Sequence, residues 1–270
     1  MKIREINTSN LIVKTRIPDG DYVINPYIGC TNSCKYCYAI FMKRFCNVKE
    51  KWGDFLYVKK CQKPIDIAKL YNRTINFGTV TDAYVWQEKK YQVTRNILKQ
   101  LVNVQCEIII LTKNDLVLRD IDLFKQMHNV QIAFSINTTN ETFKNDMDRA
   151  SPIKDRFVAL KKLHENGIKT AIFISPLFPE ISDWKNIIDQ ARSYVDEFWF
   201  EDLNLRQPFK GNIFRYLRAK FPSLIPLYTQ IYNKHDIIYW KELAKTIEHY
   251  CQSNKIKFIN YFHHAQLRKK

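Results

Sequence analysis

From residue 75 onward, short apolar runs rich in β-branched and aromatic residues alternate with longer amphipathic stretches. This alternation constrains the fold more than any other feature, because strand, helix, strand is the repeating unit of a parallel sheet. The candidate strands are residues 75–81 (INFGTVT), 106–113 (CEIIILTK), 130–136 (VQIAFSI), 169–175 (KTAIFIS) and 197–203 (EFWFEDL). Each is nearly continuous in apolar residues, as expected of a parallel strand covered on both faces. Between them, Val93, Ile97, Leu98 and Leu101 recur at helical spacing, as do Val158, Leu160 and Leu163 before a capping Gly167. Ser182 or Asp183 is placed to cap a third helix beginning near Trp184, and Asp120 reads as a further helix cap. With residues 21–29 (DYVINPYIG) the strand candidates number six, which predicts an α/β fold of the partial (β/α)6 barrel type.

Residues 1–20 read as an N-terminal extended segment and 21–205 as the barrel. Residues 206–270 read as a mainly helical C-terminal extension. There Pro208, Pro222 and Pro226 interrupt a stretch rich in Tyr and Phe, before a helical YWKELAKTIEHYCQ and an extended KIKFINYF placed to close the open barrel. No stretch supplies the roughly 20 apolar residues of a membrane span, and MKIREINTSN has no secretory character. The expected compartment is the cytoplasm, with no membrane partner.

Seven cysteines, an odd number, argue against a disulfide framework and for thiols or metal ligands. Cys46, Cys61, Cys106 and Cys251 are scattered, and a lone cysteine most often behaves as a small buried apolar residue. Cys30, Cys34 and Cys37 instead crowd into NPYIGCTNSCKYCYA, a C-x3-C-x2-C pattern between a predicted strand and a predicted helix. Structural zinc takes four protein ligands and favours paired knuckles, so three cysteines suit it poorly. A cubane held by three thiolates keeps one iron open, and an open position implies chemistry.

That pattern, with Tyr36 before the last cysteine, resembles the signature of the radical S-adenosylmethionine (SAM) superfamily, and NPYIGC resembles its spore photoproduct lyase, or DNA-repair-photolyase-like, branch. Residues 78–95, 111–123, the FSINTTN strand end and 175–183 follow that branch in order and spacing. The resemblance implies a 4Fe-4S cluster on Cys30, Cys34 and Cys37 whose free iron binds SAM, and reductive cleavage of SAM to a 5'-deoxyadenosyl radical that abstracts hydrogen. It also implies roles at strand ends. Gly78, Thr79, Thr81 and Asp82 would hold the methionine amino group through backbone carbonyls and the Asp82 carboxylate, although the common Gly-Gly-Glu form is lacking. Lys113 would pair with the SAM carboxylate, and Ser135 and Asn137 would bond the ribose. Tyr36 and Tyr38 either contact cofactor or substrate or pack with a satisfied hydroxyl. A reductant such as flavodoxin or ferredoxin is the expected protein partner.

The substrate is less constrained. The hydrogen-donor cysteine of the lyase has no match, since Cys46 and Cys61 follow Cys37 by 9 and 24 residues in unrelated contexts, so the resemblance does not extend to repair of the spore lesion. A formal charge of +16 favours a nucleic acid, although a lysine-rich genome background produces the same excess. Lys210, Arg215, Arg218 and Lys220 among Phe209, Phe214, Tyr216 and Phe221 are the candidate contacts. His263 and His264 read as solvated. The alternatives are a peptide or small metabolite as substrate, or a nucleic-acid-binding protein with a structural or sensing cluster.

Overall fold

The computed structural model describes residues 1–18, 20–206 and 209–262. In chain order its strands are β1 (Lys2–Asn7), β2 (Ile12–Lys14), β3 (Tyr22–Ile24), β4 (Tyr27–Ile28), β5 (Phe55–Lys60), β6 (Thr74–Phe77), β7 (Glu107–Thr112), β8 (Asn129–Ser135), β9 (Lys169–Leu177), β10 (Glu197–Asp202) and β11 (Phe258–Asn260). Eight of them form one sheet in the order β11-β10-β9-β8-β7-β6-β3-β2. Every pair from β3 to β11 is parallel, and only β2 runs antiparallel at its edge. Each successive crossover therefore adds its strand beside the last, which is the winding of a barrel. Among the described residues β2 and β11 do not pair, so the barrel stays open.

The strands predicted from residue 75 onward are all present, as β6 to β10. The C-terminal extended segment becomes β11, which aligns Phe198 with Phe258 and lengthens the sheet rather than closing it. Residues 21–29 divide. β3 joins the main sheet, whereas β4 pairs with β5 in a separate sheet ordered β1-β5-β4. Pro26 stands at the division, where a residue without an N–H cannot extend the ladder.

One face of the main sheet packs on the helices through the large core that contains Ile108, Ile110, Ile132, Leu160 and Ile187. The other carries a smaller cluster in which Ala133 and Ala171 leave room for Trp199, Phe173 and Tyr261. In the helix Val93–Leu101 the residues Ile97, Leu98 and Leu101 are buried as their spacing predicts. In the helix Ile153–Glu165, Leu160 and Leu163 are buried but Val158 is 42% exposed, with Ala159 taking the inward position. Gly167 follows that helix at φ +75°, the left-handed conformation of a helix stop.

Three expected caps have other tasks. Asp183 precedes the helix Trp184–Ala191 without capping it, and accepts instead from the backbone N–H of Thr139 at 2.9 Å. The Ser182 hydroxyl accepts from Phe178 N–H at 2.9 Å. Asp120 is fully buried, and accepts from Arg95 at 2.6 Å, from Arg119 at 2.8 Å and from the Tyr84 hydroxyl at 3.0 Å. A carboxylate so deep is paired with two guanidinium groups rather than with a helix terminus. No described helix is long and apolar enough to cross a membrane.

Candidate active site

The three clustered cysteines lie on one loop that leaves β4 and enters a 3-10 helix over Tyr38–Phe45. Gly29 opens the loop at φ +87°, and a Cβ there would come within 2.5 Å of the Phe55 carbonyl, so no other residue fits without displacing β5. Cys30 is buried, and Cys34 and Cys37 are half-buried. The loop is pinned from several sides. Asn32 donates to Asp82 at 2.8 Å, Thr81 donates its hydroxyl to the Gly29 carbonyl at 2.6 Å, and the Asn32 carbonyl accepts from Arg149 N–H at 2.7 Å. Such bracing fixes a loop that would otherwise have many conformations.

The environment acts on the thiols together. Burial pushes the Cys30 thiol up to about 12, reinforced by the charges of Asp82 and Cys37. Burial likewise raises Cys34 well above the usual thiol range, opposed by the Lys113 ammonium. Cys37 is raised by burial and eased by backbone N–H groups and the Lys113 ammonium. Buried thiols of this kind stay protonated until a metal centre displaces the protons. Among the described residues no three His, Cys, Asp or Glu side chains are gathered as ligands for a single ion. A cubane asks less of them, since its three thiolates bind three different irons, and the C-x3-C-x2-C loop suits that centre. Cys106 and Cys251 are buried in the core, and burial alone raises each thiol to about 11.

Polar groups proposed from the sequence gather at the C-terminal ends of the strands. Gly78 and Thr79 follow β6, and Thr79 is held by Asn25, whose side chain donates to its hydroxyl at 3.0 Å. Lys113 follows β7, and its ammonium donates to the Ser135 hydroxyl at 2.7 Å. Ser135 in turn donates to the Ser175 carbonyl at 3.0 Å, and Asn137 donates to the Pro176 carbonyl at 3.1 Å. Tyr36 is buried beneath Lys113, whose ammonium is 5.9 Å from the ring centroid, and packs edge-on to Phe178. Tyr38 is 54% exposed and donates its hydroxyl to the Thr79 carbonyl.

Asp82, which the resemblance places at the methionine amino group, is held by a dense set of donors. Its two oxygens accept from Asn32 at 2.8 Å, Lys113 N–H at 2.8 Å, Asn114 at 2.9 Å, Tyr84 N–H at 2.8 Å and the Thr112 hydroxyl at 2.8 Å. These donors engage both carboxylate oxygens. Asp82 thereby ties the cysteine loop to the ends of β6 and β7. Glu201 was not singled out in the sequence, yet it accepts from the Ser175 hydroxyl and its charge reaches Tyr38. An acid directly after the apolar FWF of EFWFEDL, at the C-terminal end of the strand, was the available signal.

The candidate nucleic-acid contacts on and beside the helix Lys210–Lys220 divide, with Arg215, Arg218 and Lys220 exposed and the aromatics turned inward. Phe209 and Phe214 are buried, Tyr216 and Phe221 pack against the core, and Lys210 donates to the Tyr232 carbonyl at 2.9 Å. Their spacing is that of a packed helix. His263 and His264 lie outside the described residues.

Comparison with known proteins agrees with this geometry. The model of the radical SAM superfamily matches residues 24–191. An uncharacterised protein of Methanocaldococcus jannaschii is 40% identical over 226 residues, covering 83% of this chain and 85% of its own length. An uncharacterised protein of Mycobacterium tuberculosis is 24% identical over 229 residues, 79% of this chain and 67% of that one. Among solved structures, spore photoproduct lyase complexed with dinucleoside spore photoproduct superposes with a TM-score of 0.59 at 15% identity, covering 82% of this chain and 66% of the lyase. SuiB of Streptococcus suis bound to S-adenosylmethionine gives 0.59 at 14% identity, over 90% of this chain and 50% of SuiB. This chain thus spans just under two thirds of the lyase and half of SuiB. Membership of the matched superfamily implies SAM and an iron-sulfur cluster as cofactors, and the chain belongs to the radical SAM superfamily as a radical SAM enzyme.

Proposed function

We propose that Cys30, Cys34 and Cys37 hold a 4Fe-4S cluster, that the adjoining strand ends bind SAM, and that the substrate is a nucleic acid. The observation that carries the cofactor reading is the meeting of three mutually interacting thiols with the Lys113 ammonium at the mouth of a parallel barrel. When bound and reduced, the cluster supplies the electron that splits SAM into methionine and a hydrogen-abstracting 5'-deoxyadenosyl radical.

This chain's residues do the positioning. Lys113, already oriented by Ser135, pairs with the SAM carboxylate, and backbone carbonyls around Gly78, Thr79 and Thr81 receive the ammonium. Ser135 and Asn137 bond ribose hydroxyls. Tyr36 forms an apolar wall beneath Lys113, and Asp82 holds the cysteine loop against β7. A reductant such as flavodoxin or ferredoxin delivers the electron.

The substrate reading rests on the surface beside the cysteines. Tyr38, Phe41 and Phe45 form a ladder with successive centroids 6.4 Å apart, and they are 54%, 39% and 75% exposed. Tyr38 starts the ladder at Thr79, and Lys43 and Arg44 lie on the same 3-10 helix. Glu50, the acid just beyond, is engaged by Lys2 at 3.0 Å. Exposed rings between cations suit stacking on unpaired bases while meeting their phosphates. The test is anaerobic loading with iron and sulfide, followed by electron paramagnetic resonance (EPR) of the reduced protein with and without SAM. A cluster signal altered by SAM is expected; a signal that SAM leaves unchanged contradicts an open iron.

A further inference from the structure

Trp52 stands in the turn before β5, packed edge-on to Phe55 with ring centroids 5.8 Å apart. It borders the small apolar cluster that includes Cys30, Tyr27 and Val85. Its indole Nε1 is sealed from solvent and has no hydrogen-bond partner among the described residues. A buried N–H without an acceptor forfeits a hydrogen bond, so its placement calls for an explanation. What it lies against is the cysteine loop, because Trp52 packs on the cluster that holds Cys30.

The turn is held against the cysteine loop at a second point. Gly53 adopts φ +96°, and a Cβ there would fall 2.1 Å from the Ser33 hydroxyl and 2.9 Å from the Ser33 Cα. Ser33 lies between Cys30 and Cys34 and is itself in the left-handed region at φ +52°. Two chain segments therefore approach as closely as backbones permit, one carrying the cysteines and the other carrying the indole. Only a glycine allows this contact.

We propose that Trp52 is a positioning residue for the cluster, its indole N–H donating to the sulfur shell held by the cysteine loop and raising the cluster's reduction potential. The inference rests on the reading that Cys30, Cys34 and Cys37 are cluster ligands. A donor aimed at a cluster sulfur stabilises the reduced, more negative state more than the oxidised one, and hydrogen bonds to the sulfurs are among the levers that set such potentials. The Gly53–Ser33 contact sets the donor's distance, and Phe55 sets the plane of its ring.

The test uses the reconstituted full chain. Trp52→Phe keeps an aromatic ring and removes the N–H, while Trp52→His restores a ring donor. EPR-monitored redox titration should show Trp52→Phe with wild-type iron content and a more negative midpoint. A tenfold change in the oxidised-to-reduced ratio is expected, which is 59 mV for a one-electron couple. Trp52→His should recover part of the shift. An unchanged midpoint in Trp52→Phe overturns the proposal. Should that variant lose its iron, pulsed EPR of reduced wild type carrying 15N-indole tryptophan decides independently. A 15N coupling to the cluster spin supports the contact, and its absence in a protein with an intact cluster overturns it. A wild type that forms no cluster overturns the cofactor reading itself.

Discussion

The guanidinium of Arg156 lies 3.0 Å from the carboxylate of Asp148, with both side chains 2% exposed. Arg156 also donates to the Ser135 carbonyl at 3.0 Å, and the Tyr36 hydroxyl lies 3.4 Å from Asp148. One buried pair thus joins the end of β8 to the cysteine loop. Removing Arg156 leaves the buried Asp148 with Lys144, 3.5 Å away, as its remaining cation, so Arg156→Ala should lose about 3 kcal/mol, the low end for breaking a buried pair. Thermal unfolding measures it, and a loss below about 1 kcal/mol would show that water reaches the pair.

Lys113→Ala removes the charge-assisted bond proposed for the SAM carboxylate. The expected loss of about 1.5–3 kcal/mol weakens SAM binding about 10- to 100-fold. Titration of reconstituted protein checks this, with iron content unchanged. Equal affinities in wild type and variant would remove Lys113 from the SAM site.

Glu197 supplies a pH-dependent tie at the opposite end of the sheet. Burial acts to raise its carboxyl, but hydrogen bonds from Lys257 and Trp199 and the Lys169 charge prevail and hold it below the usual range. A depressed carboxyl contributes stability above the unfolded value, about 4.3, that is lost as pH falls through the lower folded value. Glu197→Gln should therefore melt below wild type at pH 7, with the gap closing as pH falls below about 4. A gap independent of pH would indicate a purely steric effect.

The proposed nucleic-acid surface predicts two separable effects. Phe45→Ala should weaken single-strand binding by about 1–3 kcal/mol at any salt concentration, as lost stacking does. Replacing Lys43 and Arg44 with Gln should instead flatten the salt dependence, by about 0.7 in log–log slope for each lost contact to a single strand. Fluorescence anisotropy with labelled oligonucleotides across ~50–200 mM salt distinguishes them. No binding by wild type at the lower limit would favour a peptide or small-molecule substrate.

The barrel was legible because parallel strands covered on both faces appear as nearly continuous apolar runs, recurring from Ile75 to Leu203. β5 obeys the same rule in FLYVKK but stands outside the βα rhythm, and its pairing with β1 is a long-range contact that local pattern does not encode. The cysteines were legible from spacing alone. Asp82 was not, since its five donors come from three separate segments. Asp120 illustrates the same limit: an acid before a helix is read as a cap, until Arg95, from a separate helix, joins the adjacent Arg119 on it. Trp52 escaped notice because an indole in a turn has no pattern, and only its burial against the cysteine loop gives it meaning.

The most direct test is chromatography for 5'-deoxyadenosine after anaerobic reconstitution with iron and sulfide and addition of SAM and a reductant. Wild type should form it together with methionine, and Cys106→Ala should do so at a near-normal rate, because that thiol is a core packing residue. Cys30→Ala, Cys34→Ala and Cys37→Ala should each lose iron and form none. Full iron content and undiminished 5'-deoxyadenosine from Cys34→Ala would contradict the assignment of the cluster to this loop.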